Sequence, residues 1–416
     1  MDIRLIPAPT RHTDARGKVL ALLALAELCA MAPWFSASAV APTLTRLWSL
    51  TPAGTAWLTM SVQLGFVIGA LGSAILTLAD IWSARRLVAA SAVLAGLATA
   101  GVAFAPGPGT GIALRLVTGA ALAGVYPPGM KIAAGWFREG RGLAIGILVG
   151  ALTLGSAVPH LVRWAVPSAW WRAVVLAAAG SALVGAVLVL LVPGDGPYTA
   201  PSPRFTWFAV PRLLRDRAVV LANLGYLGHM WELYAMWTWM AAFVAASEVS
   251  RRGANDVSVT AFSALVTFTV VGSGGVGCWL GGKYADRWGR TLVTSGAMAV
   301  SGACALTVGL LFARAPWLLV PLLLVWGVAV VADSAQFSTA VSELAPREYV
   351  GTALTLQTSL GFLLTCVTIY LLPVLAHAVG WRWAMAALAP GPAAGLWAML
   401  ALRKRPEARM LAGGRR

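Results

Sequence analysis

Twelve apolar stretches, each long enough to cross a bilayer as a helix, dominate this sequence. They run roughly over 19–42, 54–78, 86–105, 110–134, 142–164, 170–192, 218–246, 258–281, 290–312, 317–341, 351–374 and 381–402. A bilayer core of about 30 Å takes about 20 helical residues. Backbone polar groups inside lipid must be satisfied within their own segment, so helices are the form such runs take. Short breaks with turn and charge signals separate them, such as "APGPGTG" and "SRRGAND". Hydrophobic residues make up 59% of the 416 and charged ones 11%. Soluble domains carry about 25% charge, so a soluble globule, a disordered chain and a secreted disulfide scaffold are excluded.

The formal charge of +16 comes from basic residues scattered through the breaks, not from a contiguous patch, so it points to membrane topology and not to nucleic acid. With the N-terminus inside, 23 basic residues fall in cytoplasmic breaks and seven in outer ones: Arg46, Arg163, Arg172, Arg251, Arg252, Arg314 and Arg382. That bias places both termini in the cytoplasm. The polar, basic first 18 residues and the length of the following stretch, broken by Glu27, argue against a cleaved signal peptide. Cys29, Cys278, Cys304 and Cys366 lie inside apolar stretches without a CxxC or a Cys/His cluster. Neither disulfides, nor a metal, nor any cofactor is expected. The glycine-rich run "VVGSGGVGCWLGG" contains no GxxxxGK[ST], and so no nucleotide site.

The chain divides into a tail (1–18), six helices (19–192), a Pro/Gly-rich linker (193–217), six more helices (218–402) and a basic tail (403–416). The halves repeat. "ELCAMAPW" from Glu27 to Trp34 matches "ELYAMWTW" from Glu232 to Trp239 at five of eight positions. Asp80/Asp286, Gly119/Gly327 and Gly142/Gly351 keep nearly the same offset. The reading is an all-α polytopic membrane protein of twelve transmembrane helices in two pseudo-symmetric six-helix bundles.

"GGKYADRWGR" at 281–290 fits G-x-x-x-D-R-x-G-R, with Gly282, Asp286, Arg287, Gly289 and Arg290 matching. The sequence in this respect resembles the major facilitator superfamily. The first-half copy, "LTLADIWSARR", keeps Asp80, Arg85 and Arg86 and lacks both glycines, and "RLVTG" from Arg115 looks like the family's helix 4 signature. Some wording is similar to the nitrate/nitrite branch, although helices 2 and 8 hold no arginine. The family's helix 5 antiporter signature is poorly matched: Ala151 follows Gly150. The resemblance implies a monomer that moves a small molecule through a central cavity lined by helices 1 and 7. It also implies a cytoplasmic gate at Asp80, Arg85, Arg86, Asp286, Arg287 and Arg290, with Arg141, Glu343 and Arg347 nearby.

Carboxylates inside a membrane are costly and face protein or water. Glu27, Met31 and Trp34 share one face of helix 1, and Glu232, Met236 and Trp239 one face of helix 7, with His229 a turn away. Glu232, His229 and Glu27 are the candidates for proton coupling, because both residue types can change charge as a cavity opens to either side. The bland alternative is permanently hydrogen-bonded structural acids. Glu27, Trp34, Tyr126, Trp231, Trp239, Asp333, Gln336 and Gln357 are the candidate cavity residues; for each aromatic, plain packing is the alternative. Arg115 is expected to pair with an acid, with attraction of an anion as the alternative. The excess of interior acids points to a cationic or neutral substrate. The function expected is secondary active transport of a small solute across the inner membrane, coupled to protons. An uncoupled facilitator and a non-transporting sensor are the alternatives; no catalytic constellation suggests an enzyme.

Overall fold

The computed structural model describes residues 10–137, 141–199, 205–253 and 257–416. The first half comprises α1 (Thr10–Met31), α2 (Pro52–Ile75), α3 (Ala84–Val102), α4 (Pro108–Trp136), α5 (Arg141–Ala165) and α6 (Trp171–Leu190). The second comprises α7 (Arg217–Arg252), α8 (Val257–Trp288), α9 (Arg290–Thr307), α10 (Pro316–Leu344), α11 (Val350–Val379) and α12 (Trp381–Arg403). Among the described residues, ten of these helices are long and apolar enough to cross a bilayer. The two others are α1 and α7, which carry Glu27 and Glu232. Their polar residues lower the hydropathy; Glu27 and Glu232 are buried, and both helices pack within the same bundles.

Helix pairings repeat between halves. Helix α2 packs on α4 as α8 does on α10, α3 on α6 as α9 on α12, and α1 on α6 as α7 on α12. The repeat extends to atoms. A Cβ on Gly119 would lie 2.0 Å from Val62 O, and one on Gly327 would lie 2.1 Å from Val270 O. Val62 and Val270 are themselves related by the glycine pair's offset. Backbones touch where no side chain intervenes, which is how helices associate without a hydrophobic drive. The variant Gly327→Ala must push α8 from α10 at a cost of about 1–3 kcal/mol or more. Thermal unfolding in detergent is expected to show it several degrees below the parent. Gly296→Ala, which meets nothing within 4 Å, is expected to unfold no earlier than the parent.

Four stretches depart from the sequence reading. The first apolar stretch is not one helix. It stops at Met31, turns through Pro33 and resumes as short helical pieces from Ser36. Helices α4 and α10 are interrupted at 123–125 and at Asp333, equivalent positions of the two halves. The final segment Pro406–Gly414 is packed, with Ala408 and Leu411 buried. There Ala412 N–H donates to Glu343 Oε2 at 3.1 Å, and Arg415 donates to the Asp286 carbonyl.

The far end of α7 binds two of the arginines counted as outer. Glu248 accepts from Arg251 and Arg252 at 2.7 Å each. Burial pushes its carboxyl up, but the two guanidiniums outweigh that and hold it below the usual carboxylate range.

Candidate functional site

A cavity of about 930 Å³ lies between the bundles. It opens on the face that carries the linker, the start of α1 and the C-terminal segment: Tyr198, Thr199 and Phe205 border its mouth, with Asp286, Glu343 and Val350, and Arg16 of α1 donates to Tyr198. Its walls use one face of α7, namely Tyr226, Met230, Leu233, Tyr234 and Trp237. Those residues recur at three- and four-residue spacing, the period of a helical stripe. His229 stands at the stripe's edge. Tyr126, Pro127 and Pro128 at the α4 interruption line the cavity from the first half, and Ser334 and Gln336, just after the α10 interruption, line it from the second, Ser334 beside His229.

An aromatic plug closes the other end. Trp34 and Phe66 of the first half meet Tyr234 and Phe362 of the second. Ring centroids are 5.6 Å apart for Trp34–Tyr234, 5.6 Å for Trp34–Phe362 and 4.4 Å for Phe66–Phe362. Each such pair contributes about 0.5–1.5 kcal/mol beyond its buried area. The plug therefore joins the bundles at the closed end of the cavity, and α5 and α8 also touch across the halves as far as Gly142 and Asp286 at its mouth.

Trp34 is aimed into the plug by the break in the first stretch, and Arg115 holds that break. Fully buried in α4, Arg115 donates to Pro33 O at 2.6 Å, Leu58 O at 3.1 Å, Ser36 Oγ at 3.2 Å and the Trp34 carbonyl. Its partners are two carbonyls and a hydroxyl where α1 ends and one carbonyl of α2, not the acid expected from the sequence. The five donors of a guanidinium suit several carbonyls at once.

The intramembrane acids lie behind the cavity wall. Glu232 falls on a different face of α7 from the cavity stripe and accepts from Trp326 Nε1 of α10 at 2.7 Å. It does not pair with His229. Glu27 sits behind the α4 interruption; its Oε2 lies 2.9 Å from where a Cβ on Gly129 would be, and its Oε1 is buried without a partner. His229 Nδ1 instead lies 2.9 Å from Asp333 Oδ1, an ion-pair distance though not aligned as a hydrogen bond. Its Nε2 is 2.8 Å from Ser334 Oγ. Asp333 itself is buried, so the pair meets the cavity through His229 and Ser334.

Of the expected cavity residues, Trp34, Tyr126 and Gln336 line it, whereas Glu27, Trp231, Trp239, Asp333 and Gln357 do not. The indoles of Trp231 and Trp239 are committed elsewhere, donating to Ala387 O at 3.0 Å and Ile369 O at 2.9 Å. Gln357 is buried, and its amide atoms have no partner among the described residues. Glu27 and Glu232 are set back because the face bearing each glutamate packs inside its own bundle.

Part of the expected gate comes together. Arg290 donates to both oxygens of Glu343 at 2.7 Å and to Gln336 Oε1 at 2.8 Å, with Asp286 Oδ1 3.7 Å away. Gly289 starts α9 at φ +91°, a conformation that favours glycine. Gly282 lies against the α5 backbone, where a Cβ would be 3.5 Å from Gly142 O. Asp286 Oδ2 is 3.0 Å from a Cβ placed on Gly142 at the start of α5, so a carboxylate of one half faces a helix N-terminus of the other. Arg85 donates to Val192 O at 2.6 Å at the end of α6, away from this cluster. Arg86, Arg287 and Arg347 are exposed. The side chains of Asp80 and Arg141 lie outside the described residues. Asp195 of the linker, missed in the sequence, accepts from the Ala84 and Arg85 amides at 3.0 and 3.2 Å and caps α3.

Residues 23–369 match the family model described as Major Facilitator Superfamily. The chain belongs to the Major Facilitator Superfamily. It is therefore a multi-pass membrane transport protein and not an enzyme. The chain is similar in structure to a mutant of the nucleoside transporter NupG, with TM-score 0.70 and 15% identity over 94% of this chain and 100% of that one. It is also similar to a bacterial homologue of the human lysosomal transporter Spinster, solved inward-facing and unoccupied, with TM-score 0.66 and 14% identity over 93% and 95%. In sequence it is 31% identical over 159 residues to the niacin transporter NiaP of Acinetobacter baylyi. That match covers 38% of this chain and 36% of the relative, so the chain spans about a third of the length of the curated relative it matches.

Proposed function

We propose that this superfamily member is a proton-coupled secondary transporter. It carries a small organic solute across a cytoplasmic membrane by rocking its two bundles about the central cavity, with both termini and the linker in the cytoplasm. The observation that carries this reading is the His229–Asp333 pair in the wall of a cavity that is open at one end and plugged at the other. A buried carboxylate beside an imidazole that meets the cavity can hold a proton in one orientation and release it in the other. The coupling pair is then His229 with Asp333, not with Glu232. The 23-to-seven distribution of basic residues supports the orientation. The Arg290–Glu343–Asp286 cluster beside α5 supports a gate on the cytoplasmic face. The partial similarity to a niacin transporter supports a small organic solute.

The test is uptake into proteoliposomes under an imposed pH gradient. The gradient is expected to drive accumulation, and a protonophore to abolish it. Uptake that only equilibrates the substrate and ignores the protonophore would make the protein a uniporter.

A further inference from the structure

Among the described residues, the deep half of the cavity holds no free carboxylate. Glu27, Glu232 and Asp333 lie outside its lining, and Asp286 and Glu343 sit at its mouth, engaged with Arg290. An interior count of acids therefore says nothing about the charge a substrate meets. What the deep half offers is an aromatic floor of Trp34, Phe66, Tyr234, Trp237 and Phe362, with hydrogen-bonding groups to one side: Tyr126, His229, Ser334 and Gln336. Because Arg290 can only donate, Gln336 presents its oxygen to it, which leaves the amide nitrogen as a further donor.

Resting on the coupling reading above, we infer that the substrate is a small planar aromatic monocarboxylate whose anion is received by Ser334 when His229 is protonated. The ring lies among the floor aromatics, where offset and edge-on contacts suit a flat π-system. The hydroxyl supplies the switch. With Nδ1 facing the Asp333 carboxylate, neutral His229 keeps its proton there, and Nε2 accepts from Ser334 at 2.8 Å. When His229 binds a second proton, Nε2 becomes a donor to Ser334 Oγ. The Ser334 O–H must then turn away, and the cavity it lines is open to it. Protonation thus creates both a hydrogen-bond donor and a positive charge beside the place a carboxylate occupies. No bond is made or broken apart from the proton transfer from water to Nε2.

Other groups face His229 as well. Asp333 approaches from α10, and Tyr226 and Phe337 pack their rings 6.2 and 5.6 Å away. Of these Asp333 is the acid, and Tyr226 and Phe337 contribute only rings. By linkage, a proton that favours the anion must be bound more tightly in its presence, so affinity for the anion falls as pH rises through the histidine's titration.

The experiment measures binding by purified full-length protein of benzoate, nicotinate, the matching amides benzamide and nicotinamide, acetate and glucose, at about pH 5.5 and about pH 8 to bracket the imidazole. Thermal stabilisation and quenching of tryptophan fluorescence provide the signals. Benzoate and nicotinate are expected to bind about tenfold or more tightly at the lower pH, and their amides and acetate to bind at least about tenfold more weakly than the acids there, the size of one charge-assisted hydrogen bond. Ser334→Ala is expected to lose about tenfold at the lower pH and most of the pH dependence, while Ser334→Thr keeps both. A general packing role for Ser334 would lower stability without removing the pH dependence. Binding of an amide or of glucose in preference to both acids, or binding of nothing in the panel, overturns the substrate class and leaves proton-driven uptake to be judged by its own assay. Binding of the acids with no pH dependence in the parent overturns the Ser334 switch and the coupling reading together.

Discussion

Arg115→Leu is expected to prevent accumulation of folded protein, and Arg115→Lys to leave a protein that unfolds many degrees early. The guanidinium reaches three carbonyls and a hydroxyl on two separate segments, α2 and the broken end of α1. Leucine would leave the Trp34 carbonyl without this donor and remove the link between α2 and the broken end of α1, while Pro33 O keeps the Ser36 amide and hydroxyl and Leu58 O its place in helix α2. Hydrogen bonds to a charged group contribute about 1.5–3 kcal/mol each, so losing several of them exceeds about 4 kcal/mol, the range in which single substitutions unfold marginal proteins. Lysine restores charge but not the planar fork, and one ammonium cannot replace four directed contacts. Size-exclusion profile and thermal unfolding in detergent are the measurements. A leucine variant as stable as the parent would mean that the break at Pro33 holds itself.

The second large effect concerns Asp333→Asn. An amide cannot form the ion pair with His229, so the proposed coupling pair is broken. Accumulation driven by a pH gradient is expected to fall about a hundredfold, the upper range of coupling free energies between linked sites. Exchange of substrate across the membrane without a gradient needs no net proton movement and is expected to fall only a few-fold. Glu232→Gln, by contrast, leaves an acceptor oxygen for Trp326 and is expected to spare proton dependence. If both functions fall together in Asp333→Asn, the carboxylate serves the rocking motion and not the proton. If Glu232→Gln removes gradient-driven accumulation while Asp333→Asn does not, the coupling pair is wrongly assigned.

Much of the architecture was legible because it depends on composition and period. Runs of about 20 apolar residues can only be helices in lipid. The Gly119/Gly327 spacing reported a contact that recurs between α2 and α4 and between α8 and α10. The site was less legible. On α7 the glutamate drew attention to one face, whereas the cavity takes the neighbouring stripe of Tyr226, Met230, Leu233, Tyr234 and Trp237. Both faces are apolar and aromatic apart from one charge, so periodicity alone does not say which meets the partner bundle. A buried acid can equally be satisfied inside its own bundle, as Glu232 is by Trp326. The pairing of His229 with Asp333 joins residues about a hundred positions apart and follows from how α7 packs against α10. The break after Met31 had a local sign in Pro33, but its stabilisation comes from Arg115, far along the chain. The gate motif was clearer, since Arg290 and Glu343 carry opposite charges at ends that the fold places together.

The account turns on whether the aromatic plug opens. Phe66 and Phe362 belong to different halves, with ring centroids 4.4 Å apart. Cysteines introduced at these two positions, in a chain whose four native cysteines are replaced by serine, can be cross-linked while the plug is closed. Uptake into proteoliposomes is then measured before and after reduction. The expected result is no uptake in the cross-linked protein and recovery on reduction, because the bundles must part at this end to expose the cavity to the other side. Full uptake with the cross-link intact would show that substrate crosses without the plug opening, which contradicts the rocking mechanism.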